Sequence, residues 1–110
     1  MPLNQHSRAF TATEIVTKLV KLEGWRLSGD GAEVVIEKTF RFADYARTLL
    51  FVNAVAWLAQ ARNHHPELVV QFDRCVVRYS THDVAGLSQA DFDCAAAVDA
   101  LPGAAKPKLL

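Results

Sequence analysis

RNHHPELVVQFDRCVVRYSTHD, residues 62–83, is the stretch that decides the fold. It holds two β-branched runs, expected as strands over 68–72 and 74–80, with a tight turn near Asp73 between them. Strands joined so closely pair antiparallel, so the start of the first lies beside the end of the second. Ahead of them Arg62 and Asn63 leave a helix. Pro66 biases His65 towards an extended backbone and removes one N–H donor from the loop. His82 follows the second strand, seventeen residues beyond His65. The hairpin therefore draws His64, His65 and His82 towards one corner.

Working towards the N-terminus, residues 43–62 read as a long helix, with Asp44 and Arg62 at the ends that the helix dipole favours. The helix is apolar almost all round: Tyr45, Leu49, Leu50, Phe51, Val52, Val55, Trp57 and Leu58. One face can pack on a sheet, and the other calls for a second subunit. Further back, Thr11 and Glu14 have capping-box spacing. Ile15, Leu19 and Leu22 then mark one helical face, with Gly24 as its stop. GWRLSGDGAEVVIEKTFRF reads as a hairpin turning at SGDG. Towards the C-terminus, Ser88 and Asp91 repeat the capping-box spacing before Phe92, Ala95, Ala96 and Val98, and Pro102-Gly103 ends that helix. The order is α-β-β-α-β-β-α. Short turns between strands imply an α+β, two-layer domain: a four-stranded antiparallel sheet with three helices on one face. The expected divisions are an N-terminal arm at 1–10, one domain at 11–101 and a mobile tail at 102–110.

The 110 residues are one domain's worth, and about half of them are hydrophobic. Twelve basic residues balance twelve acidic ones, without the positive excess of a nucleic-acid binder. The longest apolar run, LLFVNAVAWLA, is too short for a bilayer, and MPLNQHSRAF does not read as a signal peptide. Cys75 and Cys94 lack a CxxC spacing and read as two buried free thiols. The expectation is a cytoplasmic protein with no direct nucleic-acid or membrane partner.

Three readings of the histidine corner remain open on the residues alone. The imidazoles can be polar loop residues at a surface. Three histidines can also hold zinc with one open position, although adjacent histidines suit a single ion poorly and no H-E-x-x-H is present. Finally, imidazole titrates near about pH 6.5 and can transfer protons at neutral pH.

The residues NHHPE, then Phe72, His82 within STHDVAGLS, and Asp91 resemble the pterin-4a-carbinolamine dehydratase family, also known as dimerisation cofactors of a homeodomain transcription factor. EGW around Trp25 and FRF at 40–42 are similar to the family too, and the resemblance covers roughly residues 11–101. It implies loss of water from a 4a-hydroxytetrahydropterin to give the quinonoid dihydropterin, recycling tetrahydrobiopterin with no metal and no cofactor. By resemblance, His65 is the central proton-transfer residue, and His64 and His82 flank the ring. Ser80 and Thr81 bind the pterin's amide edge. Gln60, Pro66, Glu67 and Asp91 complete the substrate site, Asp91 being equally able simply to close its capping box. The resemblance implies a homodimer or homotetramer, with a pterin-dependent aromatic amino-acid hydroxylase as substrate source. It also implies an alternative: a binding or assembly module, serving as a transcription coactivator or in Rubisco and carboxysome assembly. Two positions depart from the pattern. Gln60 stands where the family has an acidic residue, and Leu68 where tryptophan is common.

Overall fold

The computed structural model describes residues 8–29 and 33–104. Helix α1 (Ala12–Leu19) opens on a reciprocal pair: the Glu14 N–H donates to the Thr11 hydroxyl, and the Thr11 N–H donates to the Glu14 carboxylate at 2.8 Å. Arg8 grips the same carboxylate at 3.0 and 3.1 Å. That bond, with the Thr11 N–H, holds the Glu14 carboxyl down at about 2. The expected helix to Gly24 is shorter in fact. After Val20 the Lys21 and Leu22 N–H groups reach back only three residues, to Lys18 and Leu19. These tight turns bend the chain so that Trp25 can enter the core. Gly24 sits at φ +87°, a backbone conformation that side chains rarely adopt, with the end of the Lys38 side chain lying against it.

The sheet contains β1 (Arg26–Ser28), β2 (Val35–Arg41), β3 (Glu67–Gln71) and β4 (Arg74–Tyr79), in the order β1-β2-β4-β3 and antiparallel throughout. Residues 30–31 of the SGDG turn and 32 after it, 1–7 of the arm and 105–110 of the tail lie outside the described residues. Register puts Ile36 opposite Tyr79 and Phe40 opposite Cys75, and these, with Val77, are buried on the helix side. The α+β order expected from the sequence is the order observed, with one added turn of 3-10 helix at His82–Val84. Each large apolar side chain buried here contributes about 1.5–3 kcal/mol.

Helix α2 (Tyr45–Arg62) is capped by Asp44, whose carboxylate accepts from the Arg47 N–H at 2.9 Å. Its inner face is Thr48, Phe51, Val55 and Ala59. Phe51 stacks obliquely between Phe40 and Phe42, with ring centroids 4.7 and 5.0 Å away. Thr48 is a buried polar residue in an otherwise apolar helix. Its hydroxyl lies 2.9 Å from the Asp44 carbonyl and 3.1 Å from that of Phe72, which fastens the helix to the β3–β4 turn. The outer face leaves Leu50 69% and Trp57 73% exposed.

Helix α3 (Gln89–Asp99) closes the core with Phe92, Cys94, Ala95 and Val98. Phe10, ahead of α1, packs on Phe92 at 5.9 Å and donates its N–H to the Leu87 carbonyl at 2.7 Å. Both cysteines are free and buried, and burial pushes each thiol up to about 11, so they are neutral at pH 7. At the far end of α3, Asp99 accepts from Trp25 Nε1 at 3.0 Å and from Lys38 Nζ at 2.9 Å. One carboxylate thus joins α3, β2 and the entry to β1. Replacing Asp99 with Ala strands two partly buried donors and is expected to lower unfolding stability by about 1–3 kcal/mol in urea titration. An unchanged midpoint would remove Asp99 from this role.

Candidate active site

Asn63 ends α2 in the left-handed conformation, φ 52° and ψ 43°, which asparagine tolerates better than most residues. The His64 N–H returns to the Ala59 carbonyl at 3.1 Å, so the exit direction is fixed. From there the backbone is extended into β3, and successive side chains point to opposite sides. His64 turns inward and lies flat on the Tyr79 ring, centroids 5.6 Å apart and planes 5° apart. His65 is exposed on the open side of the sheet.

The inward imidazole meets a buried carboxylate. Asp91 is wholly inaccessible, and its oxygens accept from His64 Nε2 at 2.7 Å, Thr81 Oγ1 at 2.7 Å and the Ser88 N–H at 2.9 Å. With Asp91 accepting all three bonds, Nε2 carries the His64 proton and Nδ1 is left as the second ring nitrogen. Thr81 has spent its only hydroxyl proton on Asp91. The 2.8 Å contact between Thr81 Oγ1 and Ser88 Oγ is therefore donated by Ser88. Burial, and the nearby Cys94 and Asp91, raise the Tyr79 phenol well above its ordinary value, so the ring under His64 stays neutral.

His82 stands on the 3-10 turn after β4. That turn closes through Ala85 at φ 52° and ψ 49°, a conformation costing a non-glycine residue about 1–2 kcal/mol. It is held by Ala85 N–H to the His82 carbonyl at 3.1 Å and by paired backbone bonds between Thr81 and Gly86 at 2.9 and 3.4 Å. His64, His65 and His82 together border a recess of about 260 Å³, with Asn63, Ser80, Thr81 and Asp83. His65 and His82 also line a larger cleft of about 670 Å³ on the open face, with Glu33, Val35, Glu67, Arg78, Ser80, Thr81 and Gly86.

The expected site residues thus take different positions. Ser80 is half-buried in the wall of both cavities, and Glu67 lies at the rim of the larger. Thr81 lines both but has its hydroxyl and its N–H committed to Asp91 and Gly86. Pro66 is half-buried between His65 and Glu67, and Gln60 is exposed in the last turn of α2, outside the lining of either cavity. Asp91 accepts the Ser88 N–H, which closes the expected capping box, and it also holds His64, but it is wholly buried and lines neither cavity. Sequence reasoning missed Arg78 and Tyr79. The alternation through β4 was the available signal: Arg78 shares a face with Ser80, and Tyr79 takes the opposite one.

Residues 8–101 match the model of the family described as Pterin 4 alpha carbinolamine dehydratase. The chain belongs to this family. A Paracidovorax citrulli (strain AAC00-1) protein provisionally named pterin-4-alpha-carbinolamine dehydratase is 61% identical over 90% of this chain and 85% of its own length. The crystal structure of a transcriptional coactivator/pterin dehydratase from Brucella melitensis superposes with a TM-score of 0.78 at 27% identity, covering 84% of this chain and 97% of that one. A pterin dehydratase-like protein identified as a RuBisCO assembly factor in the alpha-carboxysome superposes with a TM-score of 0.63 at 31% identity, covering 76% of this chain and 94% of that one. The pterin dehydratase family fold therefore carries this histidine corner, and its solved members bear more than one functional description.

The Asp91–His64 bond makes a specific expectation. Asn in place of Asp91 can still accept from Ser88 and Thr81, but its amide nitrogen must donate to His64. Asp91→Asn should move the His64 proton from Nε2 to Nδ1, visible in the imidazole nitrogen shifts by NMR, with about 1–3 kcal/mol lost in stability. An unaltered tautomer in the folded variant would contradict the assignment.

Proposed function

We propose that the protein is a 4a-hydroxytetrahydropterin dehydratase working by histidine acid–base catalysis. The observation that carries the reading is the grouping of three imidazoles around one recess, in a chain of this family. In the reaction the C4a–O bond breaks, C4a=N5 forms and water leaves. The acid's proton departs in the water, and the N5 proton passes to the base, so the step involves no net oxidation. His65, exposed at the junction of both cavities, is the central proton-transfer residue, and His64 and His82 flank the ring. His64 is presented by Asp91 in one tautomer. Positioned proton transfer of this kind contributes about 10²–10⁴-fold. A pterin-dependent aromatic amino-acid hydroxylase is the reaction class that supplies the substrate.

A second reading, a binding or assembly module, is favoured by the RuBisCO assembly factor among the structural neighbours and by exposed apolar surface. Tyr45, Leu50 and Trp57 on α2, with Val69 and Val70 on edge strand β3 and Phe72 in the turn after it, lie open to solvent. A self-associating surface suits both readings, and we propose a homodimer or homotetramer. Light scattering at micromolar concentration should give a multiple of 12.1 kDa, whereas the single-chain mass would overturn it.

The catalytic test is dehydration of synthetic 4a-hydroxytetrahydropterin against its spontaneous rate. The wild type should exceed that rate, and His65→Ala should lose about 10² or more of the enhancement. A glutamate at Gln60 adds a negative charge near the histidine loop and favours imidazolium. Gln60→Glu should therefore raise the rate at pH 7–8. A wild type at the spontaneous rate, with no rescue by Gln60→Glu, would leave the assembly reading.

A further inference from the structure

The turn that carries His82 is tied from inside by Asp91, and it also has an outer support. The segment Arg8–Phe10, ahead of α1, runs along it as a strap. The Phe10 N–H donates to the Leu87 carbonyl at 2.7 Å, and the Phe10 ring packs on Phe92 of α3 with centroids 5.9 Å apart. The Arg8 guanidinium and the Lys18 ammonium each lie 5.6 Å from the centroid of the same ring. Arg8 also grips Glu14, which closes the cap of α1, at 3.0 Å. Tethers to α1, to α3 and to Leu87 thus fix the course of the strap.

Gly86 is where the strap meets the turn. It is buried, exchanges backbone bonds with Thr81 at 2.9 and 3.4 Å, and lines the larger cleft with His82. Its φ lies outside the left-handed region, so the backbone alone does not require glycine. A Cβ at this position would stand 3.3 Å from the Cβ of Ala9, inside the ordinary contact distance of two carbons. Ala9 is half-buried and outside the lining of either cavity. Glycine at 86 is therefore explained by the close approach of the strap.

We infer that Ala9 and Phe10 are positioning residues for His82, on the dehydratase reading above in which His82 flanks the ring. Asp91 orients the His64 imidazole directly. His82 is exposed, and among the described residues no side-chain hydrogen bond orients its imidazole. Its place is set by the backbone of its turn. That turn includes Ala85 at φ 52°, a conformation that an alanine leaves unless its surroundings hold it. Asp91 holds the start of the turn through Thr81 and the residue beyond its end through Ser88. The strap holds the stretch between, at Gly86 and Leu87. Loosening or crowding that contact moves the turn, and His82 with it, while His64 keeps its own partner.

The test measures the dehydration rate of full-length variants, with histidine side-chain NMR on the same samples and His82→Ala identifying the His82 signals. Gly86→Ala sets a methyl group against Ala9 and should lower kcat about tenfold, since proton transfer is sensitive to displacements below about 1 Å. Ala9→Gly in that background removes the facing methyl and should restore the rate to within about twofold of wild type. In a His82→Ala background, Gly86→Ala should cost less than about twofold, because two changes that act through one group do not add. A merely structural defect would multiply the two losses. Ala9→Val crowds the same contact from the half-buried strap side and should cost about threefold or more. The His82 signals should move or broaden in Gly86→Ala and in Ala9→Val, and return in the Ala9→Gly pair, with or without turnover. Wild-type rates and wild-type His82 signals in both variants would overturn the positioning role and leave the dehydratase reading standing. A loss that Ala9→Gly does not restore, or that is as large without His82, would do the same. If the His82 signals respond as expected but the wild type stays at the spontaneous rate, the strap stands and the catalytic reading falls.

Discussion

A buried carboxylate must be compensated by bonds or it destabilises everything around it. Asp91 meets that demand with three donors from three places: the end of α2, the loop after β4 and the N-terminus of α3. Each donor locates a part of the site. The His64 bond sets the ring's orientation and proton. The Thr81 bond holds the strand end from which His82 and its 3-10 turn depart. The Ser88 bond starts the helix that closes the core behind them. Removing any one leaves a charge short of a partner in a dry interior, so the loops cannot shift independently. The strained Ala85 turn persists because both sides of it are tied.

From this anchor the division of labour between neighbouring histidines follows. An extended backbone sends consecutive side chains opposite ways, so one histidine must join the core when its neighbour faces the cleft. Asn63 fixes which, by leaving α2 in the left-handed conformation. His64 then finds a flat neutral ring beneath it and a carboxylate at its edge, while His65 meets water and the open face. The pair reads as a duplicate in one dimension and as two different chemical environments in three.

Much of the fold was legible because its signals are local. Thr11 with Glu14, the β-branched runs about Asp73, and the apolar α2 each state an element without help from distant residues. The α1 stop was misread since Gly24 serves the approach of Lys38 and the turn into Trp25, and neither contact is encoded nearby. The burial of Thr48 has no local signal, because its second carbonyl partner, at Phe72, comes from the β3–β4 turn. At the site, the histidine corner followed from hairpin register. The fate of Thr81 did not, since its hydroxyl could face a ligand or the core until Asp91 was known to be buried. Arg78 was passed over for the same reason: its place depends on cross-strand pairing with Glu37 and Glu67.

The histidine corner and the exposed apolar surface occupy different parts of the molecule. The histidines sit on loops at one end of the sheet, with His64 held by Asp91 from within. Leu50 and Trp57 project from the outer side of α2, and Val69 and Phe72 lie along or beyond the β3 edge. Residues of the exposed apolar surface can therefore change without disturbing the imidazoles, and the reverse holds for a loop substitution. Such separability accounts physically for a fold whose relatives are described both as dehydratase and as assembly factor. Gln60 lies in the last turn of α2, three residues before the exit at Asn63 and on the helix whose outer side carries Trp57. On the proposed dehydratase reading, a charge at this exposed position reaches the histidine loop from outside the core, so that catalytic strength is tuned there while the scaffold stays the same.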